Sequence, residues 1–563
     1  MLLLAQLVAP PLQPGPIRLP EPAPIQQRKP RSGKPLQESP DLQTPVSQPI
    51  EPNDQGARPK QLPSVKGSTV YGPVQLQEVF GRCSRPDLAA TLQACASALT
   101  ARYLADGYVN TRVFVAASSG AGVLEVVEGR IAEVRVTADS ERLATRVRRL
   151  LKPLQGSILN LPRLDQQILL LRRWPGIGNV RGSIGRLGSD PTQAVLQLSV
   201  DGKAEPVTGE VSLRNDGNAG NGQWRAVSTV LKNDLLAAGD TLLVYGEGDM
   251  DDTPELGAVI ASLTYAYPIT ESLRLTGSFG YSRRNLVEGV LAPLQWSFRQ
   301  FQGYGQLEWV FSESLSTRWY SFAGISINRN DSYAAGRSFP IFNGFTDTTT
   351  NTGFFRFGVG VNGVNDRSNW SISAYGLQGA NAFSSSTQLQ NMALLGVVPG
   401  QATAFGGSAS LSYALSPNST LNIRGAGQAA FNPLIGDMGF SIGSDTGIRG
   451  LPGQTISGDS GYLGAAEIVW TFWSRGDQSV QLVPFIGYGG ITSNRFLGGS
   501  TSPFTNTNGI GAGGLMARFL AGQWQVEVGW VSQIDHLDQL DNAIWGNNYL
   551  IGNGLYTNIK YRF

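Results

Sequence analysis

From Ala204 to Phe563 the chain is cut by Gly, Asn, Asp and Ser turns into segments of about ten residues in which apolar and polar side chains alternate. At the C-terminus Leu555, Thr557, Ile559, Tyr561 and Phe563 fall on one face, and Tyr556, Asn558, Lys560 and Arg562 on the other. The segment 523–530 does the same, with Trp524, Val526, Val528 and Trp530 against Gln523, Gln525 and Glu527. No run of 18 or more apolar residues exists, so an ordinary spanning helix is excluded and a membrane role has to use strands. One face of each strand suits lipid and the other suits water. The 69 glycines, 9% aromatic residues and only 15% charged residues of this 563-residue chain fit a Gly-rich β protein of that kind.

Sixteen such segments are expected, near 205–214, 223–232, 241–248, 257–267, 272–282, 298–311, 316–328 and 353–364, then 369–378, 403–415, 418–430, 461–474, 478–490, 508–520, 523–532 and 554–563. An even number is what single-chain bacterial barrels require. After the first pairs, short links at 268–271, 312–315, 366–368, 416–417 and 475–477 alternate with long ones at 283–296, 329–352, 379–404, 431–460, 491–508 and 532–553. Barrels of the outer membrane alternate short turns and long loops in this way, and a soluble sandwich has no reason to do so.

Composition excludes several chemistries. One histidine, His536, and two cysteines, Cys83 and Cys95, cannot supply a Cys₄, Cys₂His₂ or His₃ metal site, and a catalytic triad would rest on His536 alone. No metal, no cofactor and no enzymatic activity are expected. With a net charge of +2 and no dense Lys/Arg stripe, the footprint of a nucleic-acid binder is missing. The run Gly509 to Gly514 lacks the Lys-Ser/Thr of a phosphate loop and falls in an expected strand. His536 sits on an expected loop between Asp535 and Asp538, the place of a solvated histidine.

The N-terminal third differs. Met1 to Ala9 resembles the apolar part of a secretory signal without its basic start or small-residue cleavage site, and reads alternatively as a short apolar terminus. Residues 10–63 are Pro- and Gln-rich, a linker or tether, or a remnant of export processing. From about 61 to 203 the order strand, helix, helix, strand, strand occurs twice, in units of about 70 residues, which reads as an internal repeat. In the first, Leu88, Leu92, Ala96, Leu99 and Tyr103 recur at helical spacing. Cys83 and Cys95 lie in this unit, to be joined in an oxidising compartment or else to stand as two small buried hydrophobes.

The stretches VKGSTVY, ARYLADGYVNTRVFV and GVLEVVEGRIAEVRV resemble POTRA domains of the Omp85 superfamily. Inside the barrel, Asp445 to Glu467 (DTGIRGLPGQTISGDSGYLGAAE) resembles the loop-six signature of that superfamily: Ile448-Arg449-Gly450-Leu451 is the tip, and Gly458-Asp459-Ser460-Gly461-Tyr462 matches GDxGY. The run RNDGNAGNGQWRAVSTVLKNDLLAAGD resembles the barrel opening of the two-partner secretion (TpsB) transporters of the FhaC/ShlB/HecB type. The resemblance implies an all-β transmembrane barrel of about 16 antiparallel strands preceded by two α+β POTRA domains. Its divisions are a signal-like start and linker (1–60), POTRA 1 (61–130), POTRA 2 (131–203) and an outer-membrane barrel (204–563) with loop six at about 431–460.

It further implies an outer-membrane translocator, with POTRA domains in the periplasm, that captures an unfolded secreted exoprotein, sits in outer-membrane lipid and meets the barrel-assembly machinery during biogenesis. A barrel-assembly or insertion factor, and less readily a passive diffusion porin, are the rival readings. The family places an Asp in an F-x-D-x-G strand to receive the loop arginine, whereas this chain has Phe485-Ile486-Gly487-Tyr488-Gly489. Arg449 is therefore expected to meet another inward acid, first Glu467, with Asp459 or Glu527 behind it. The resemblance also makes Tyr561 and Phe563 the C-terminal insertion signal.

Overall fold

The computed structural model describes Gln37–Glu38 and residues 63–563 apart from 82, 84–87, 117–121, 173–175, 189, 203–206, 218–220, 238, 251–255, 288–291, 341–346, 454, 496–503 and 537–553. The signal-like start lies outside the described residues, as does the Pro-rich segment except for Gln37–Glu38, a two-residue strand paired in parallel with Ser183 and Ile184. Two compact units meet in sequence between Ala204 and Glu205.

The unit that ends at Ala204 contains the same topology twice. Strand β1 (Ser64–Lys66), helices α1 (Pro73–Phe80) and α2 (Leu88–Ala105), and strands β2 (Arg112–Val115) and β3 (Val123–Val127) form a sheet in the order β1-β3-β2. Strand β4 (Arg130–Ala138), helices α3 (Glu141–Leu151) and α4 (Leu161–Leu171), and strands β5 (Ile177–Leu187) and β6 (Asp190–Gly202) give the order β4-β6-β5. In both, the first strand runs parallel and the second antiparallel to the third. Local chemistry sets the helix starts. Ser140 and Asn160 accept the backbone N–H groups of Leu143 and Arg163 at 3.2 and 3.1 Å, and Pro73 and Pro162 stand where a helix has no use for the missing N–H.

Helix α2 buries Leu92, Ala96, Leu99 and Tyr103 against Phe80, Leu124 and Val126. A disulfide joins Cys95 on α2 to Cys83 in the preceding loop, with 5.0 Å between their Cα atoms. The loop it closes is short, so it stabilises this module by about 3 kcal/mol. Mass spectrometry of protein extracted under alkylating conditions is expected to find both thiols blocked; labelling of both would remove the claim.

Glu128 is the buried polar centre of the first module. Its carboxylate accepts the N–H groups of Thr69 and Val70 at 2.7 and 2.9 Å, the Tyr103 hydroxyl at 3.0 Å and the Thr69 hydroxyl. Burial pushes this carboxyl up, but the four donors outweigh burial and hold it below its ordinary value. A group depressed in the folded state stabilises above its unfolded pKa, about 4.3, and that contribution is lost as pH falls through the lower folded value. The module is expected to loosen as pH falls below about 4, and Glu128→Gln to be less stable at pH 7 by roughly 1 to 3 kcal/mol, a difference that shrinks as the wild-type carboxylate protonates. Hydrogen exchange of the Thr69 and Val70 amides reads both effects, and an unchanged wild-type profile down to pH 3 would refute this account.

Among the described residues sixteen strands close into one antiparallel barrel. They are β7 (Thr208–Arg214), β8 (Trp224–Asn233), β9 (Thr241–Met250), β10 (Leu256–Pro268), β11 (Leu273–Asn285), β12 (Trp296–Glu313), β13 (Thr317–Ala334), β14 (Thr349–Val364), β15 (Ser368–Gly379), β16 (Thr403–Ser416) and β17 (Ser419–Ala430). Short strands β18 (Phe440–Ile442) and β19 (Ile456–Gly458) pair within the next loop, and the barrel resumes with β20 (Ser460–Arg475), β21 (Gln478–Arg495), β22 (Phe504–Ala521), β23 (Trp524–His536) and β24 (Leu555–Arg562). β24 pairs with β7, which leaves no open edge. Outward positions such as Leu263, Phe279, Leu307, Phe357, Ile372, Trp470, Ile486 and Val528 are exposed apolar side chains, the surface a bilayer requires.

Several elements differ from the sequence reading. The first strand of the chain's repeat ends at Lys66 rather than near 71, because Thr69 and Val70 turn their N–H groups to Glu128. The long link 380–402 contains helix α5 (Ser386–Leu394), started by a reciprocal cap in which Ser385 and Gln388 bond each other's backbone N–H. His536 ends β23 as an exposed strand residue instead of lying in a loop.

Candidate functional site

The described residues of 431–459, between β17 and β20, fold back among the inward-facing side chains of the barrel. The tip is a tight turn in which Ser444 N–H bonds Pro452 C=O at 2.9 Å and Ile448 N–H bonds Gly443 C=O at 3.1 Å. Ile448 and Leu451 are fully buried against Leu463, Val483, Phe485, Ile510, Met516 and Val531 of the barrel. Gly450 is left-handed, φ +87°, and a Cβ there would stand 2.3 Å from Val531, so no larger residue fits between them.

Arg449 points at two strands. Its Nε donates to Glu467 of β20 at 2.7 Å, and an Nη lies 3.7 Å from Glu527 of β23. Both carboxylates are buried and held by other donors. Asn422 donates to Glu467 at 3.1 Å, with Arg424 4.0 Å away, while Arg518, Gln525 and Asn558 donate to Glu527. Three cations thus face two acids in a place almost closed to water, where an unpaired guanidinium costs several kcal/mol. Asp459, the other acid expected near Arg449, also lies in this loop. It sits at the base of the loop, where its carboxylate accepts Leu434 N–H at 3.1 Å and its carbonyl accepts Gln428 at 3.0 Å. Gly458 lies against Ile491 and Ser493 at the same base.

Gly487 explains why the acid is displaced. It lies opposite Ala465 in the ladder, and a Cβ on it would already be 3.0 Å from Ile448. A carboxylate here would occupy the space of the loop's apolar tip. Glu467 stands two residues along the neighbouring strand, in the next inward layer, and reaches the guanidinium from there.

A second brace was not anticipated from the sequence. Asp445, four residues before Arg449, pairs with Arg225 of β8 at 2.8 Å, and Arg225 also pairs with Glu247 of β9 at 2.9 Å. Ser444 donates to Asp216 at 2.9 Å, and Asp216 lies 3.2 Å from Arg214. The sequence carried no clear signal for it: Arg225 shares its strand face with Val227 and Leu231, and Glu247 with Leu243 and Tyr245. Nothing local pairs them with a loop some 200 residues away. The loop is therefore tied to the first strands of the barrel by its aspartate and to the last ones by its arginine.

The C-terminal residues close the barrel. Phe563 exchanges two backbone bonds with Gly209, at 2.9 and 3.0 Å, and its ring stacks near that of Tyr561.

A closed sixteen-stranded barrel with a long loop pinned inside it by buried ion pairs, following two repeated α+β modules, defines a membrane β-barrel protein of the outer-membrane type. The chain belongs to the haemolysin secretion/activation family ShlB/FhaC/HecB, whose sequence model matches residues 193–509. The outer-membrane transporter CdiB of Dickeya dadantii is 23% identical over 400 residues, a match that covers 66% of this chain and 64% of that protein. In structure the chain resembles CdiB from Escherichia coli, with a TM-score of 0.66 at 17% identity over 92% of this chain and 93% of that one. It also resembles BamA from Haemophilus ducreyi lacking POTRA domains 1–3, with a TM-score of 0.50 at 11% identity over 89% and 99%. These structural likenesses concern the fold alone.

Proposed function

We propose that this protein is the outer-membrane translocator of a two-partner secretion pair, in which residues 61–130 and 131–203 act as two POTRA domains in the periplasm and deliver an unfolded exoprotein to the barrel. The observation that carries this reading is the loop held inside the barrel by Arg449, together with membership of a secretion family. The chain enters the barrel at Thr208, on the rim of short turns, which in outer-membrane barrels faces the periplasm. Strand β2 is an edge of its sheet, with Phe114 half exposed, and an extended client can add to such an edge through main-chain hydrogen bonds. The client then moves through a polar interior, and no residue is assigned a catalytic part.

The reading is tested in cells that make the full chain and its exported partner, with a photo-crosslinking residue in place of Phe114. Export requires the partner in the medium and a crosslinked adduct to it. Crosslinks only to unfolded barrel precursors, with the partner released normally without this chain, would favour the barrel-assembly reading instead.

A further inference from the structure

At the long-loop rim the outward surface of the barrel changes character over three adjacent strands. Arg283 of β11 stands directly opposite Arg299 of β12, and Arg299 stands opposite Asp331 of β13, with Arg329 two residues along that strand. Directly below this row come Tyr281, Phe301 and Phe279, with ring centroids 5.0 and 6.5 Å apart. The eleven residues from Phe301 to Phe311 span about 33 Å along the strand, or about 25 Å of membrane at the usual tilt. Arg283 and Arg299 therefore sit one step above the apolar band, at the level of lipid headgroups, and Arg329, opposite Phe301, lies at its upper edge.

Like charges directly opposite in a ladder destabilise each other, so Arg283 beside Arg299 calls for an anion. Their own partners do not supply it. Arg283 has a long 3.4 Å contact with Asn285, and Arg299 lies 4.6 Å from the Tyr333 ring centroid with its Nε unbonded. Asp331 is the acid of this row; it pairs with Arg329 at 3.3 Å and also accepts the Thr349 hydroxyl at 2.6 Å. Among the described residues, outward positions at the same rim on β16, β20 and β24 carry Phe405, Tyr462 and Leu555 instead.

We propose that Arg283, Arg299 and Arg329 form a docking surface for the phosphates of a phosphorylated glycolipid in the outer leaflet, its acyl chains lying along Phe279, Phe301 and Ile327. Planar guanidiniums suit phosphate oxygens, and the aromatic band below suits acyl chains. The sidedness rests on the function proposed above, which places the long loops outside.

The full chain, purified in detergent and checked for its heat-modifiable folded form, is mixed with phosphatidylcholine vesicles containing bisphosphorylated lipid A or lipid A stripped of both phosphates. Wild type should retain only the phosphorylated lipid. R283Q/R299Q/R329Q should bind it about a hundredfold more weakly, and the triple Arg→Lys variant should keep most of the affinity. If the triple Gln variant does not fold, R283Q alone should lose about fivefold. Equal retention by a folded Gln variant, or displacement of the lipid by millimolar inorganic phosphate, would overturn the proposal. Secretion of the partner is scored separately, so loss of the export reading leaves this binding result standing.

Discussion

Replacing Arg449 with Ala is expected to remove most release of the exported partner while the barrel still reaches the membrane in folded form. The substitution leaves Glu467 and Glu527 buried without the loop's charge, and breaking a buried pair from one side costs about 3 to 5 kcal/mol. The barrel itself keeps its strand ladder, and Ile448 and Leu451 keep their apolar contacts, so the loop is loosened rather than expelled. The two acids are not equivalent. Glu527 retains Arg518, Gln525 and Asn558, whereas Glu467 retains Asn422 and an arginine 4.0 Å away. Glu467→Gln should therefore reproduce more of the loss than Glu527→Gln. Partner in the medium, folded barrel on unheated gels and protease cutting within 431–459 separate the effects. Full secretion by the Arg449 variant would sink the role given to this loop.

Deleting Phe563 is expected to lower the inserted barrel several-fold. Two contributions are removed at once: the backbone pair with Gly209 that completes the closing seam, and an aromatic ring that covers the same glycine. The seam has few pairs to spare, since β24 matches β7 only from Asn558 to Arg562, supported by Lys560 3.2 Å from Glu210 and by Asn215 bonding Leu555 and Thr557. Phe563→Ala distinguishes the two, because it keeps the backbone bonds and loses the ring. If the ring is an insertion signal read by the assembly machinery, Phe563→Ala should insert as poorly as the deletion; if only closure matters, it should insert nearly as well as wild type. Quantifying the protein in outer-membrane fractions decides between them, and normal insertion of both variants would dismiss any special part for the residue.

Much of the barrel was legible because a strand's side-chain period is two. That period alone placed Trp524 and Val528 on one face and Gln525 and Glu527 on the other, and the sixteen strands follow the alternating segments closely. Helix α5 was missed although Ser385 and Gln388 spell a cap, because the surrounding Gly- and Ser-rich link carries no apolar periodicity strong enough to announce nine helical residues.

Parity, then, is a property of the sequence: it places Glu467 and Glu527 on inward faces, and an arginine on a Gly-rich loop needs an acid. Which acid it meets is decided only in three dimensions. Gly487 leaves room for Ile448, that packing sets the depth of the tip, and the depth brings Arg449 to Glu467 while Asp459 stays at the base capping Leu434. The tie from Asp445 to Arg225 spans 220 residues and exists because the barrel closes, setting its first strands beside its last. Strand faces follow from local stereochemistry, but ion pairs between a loop and a barrel wall depend on closure and packing, which no short stretch of chain encodes.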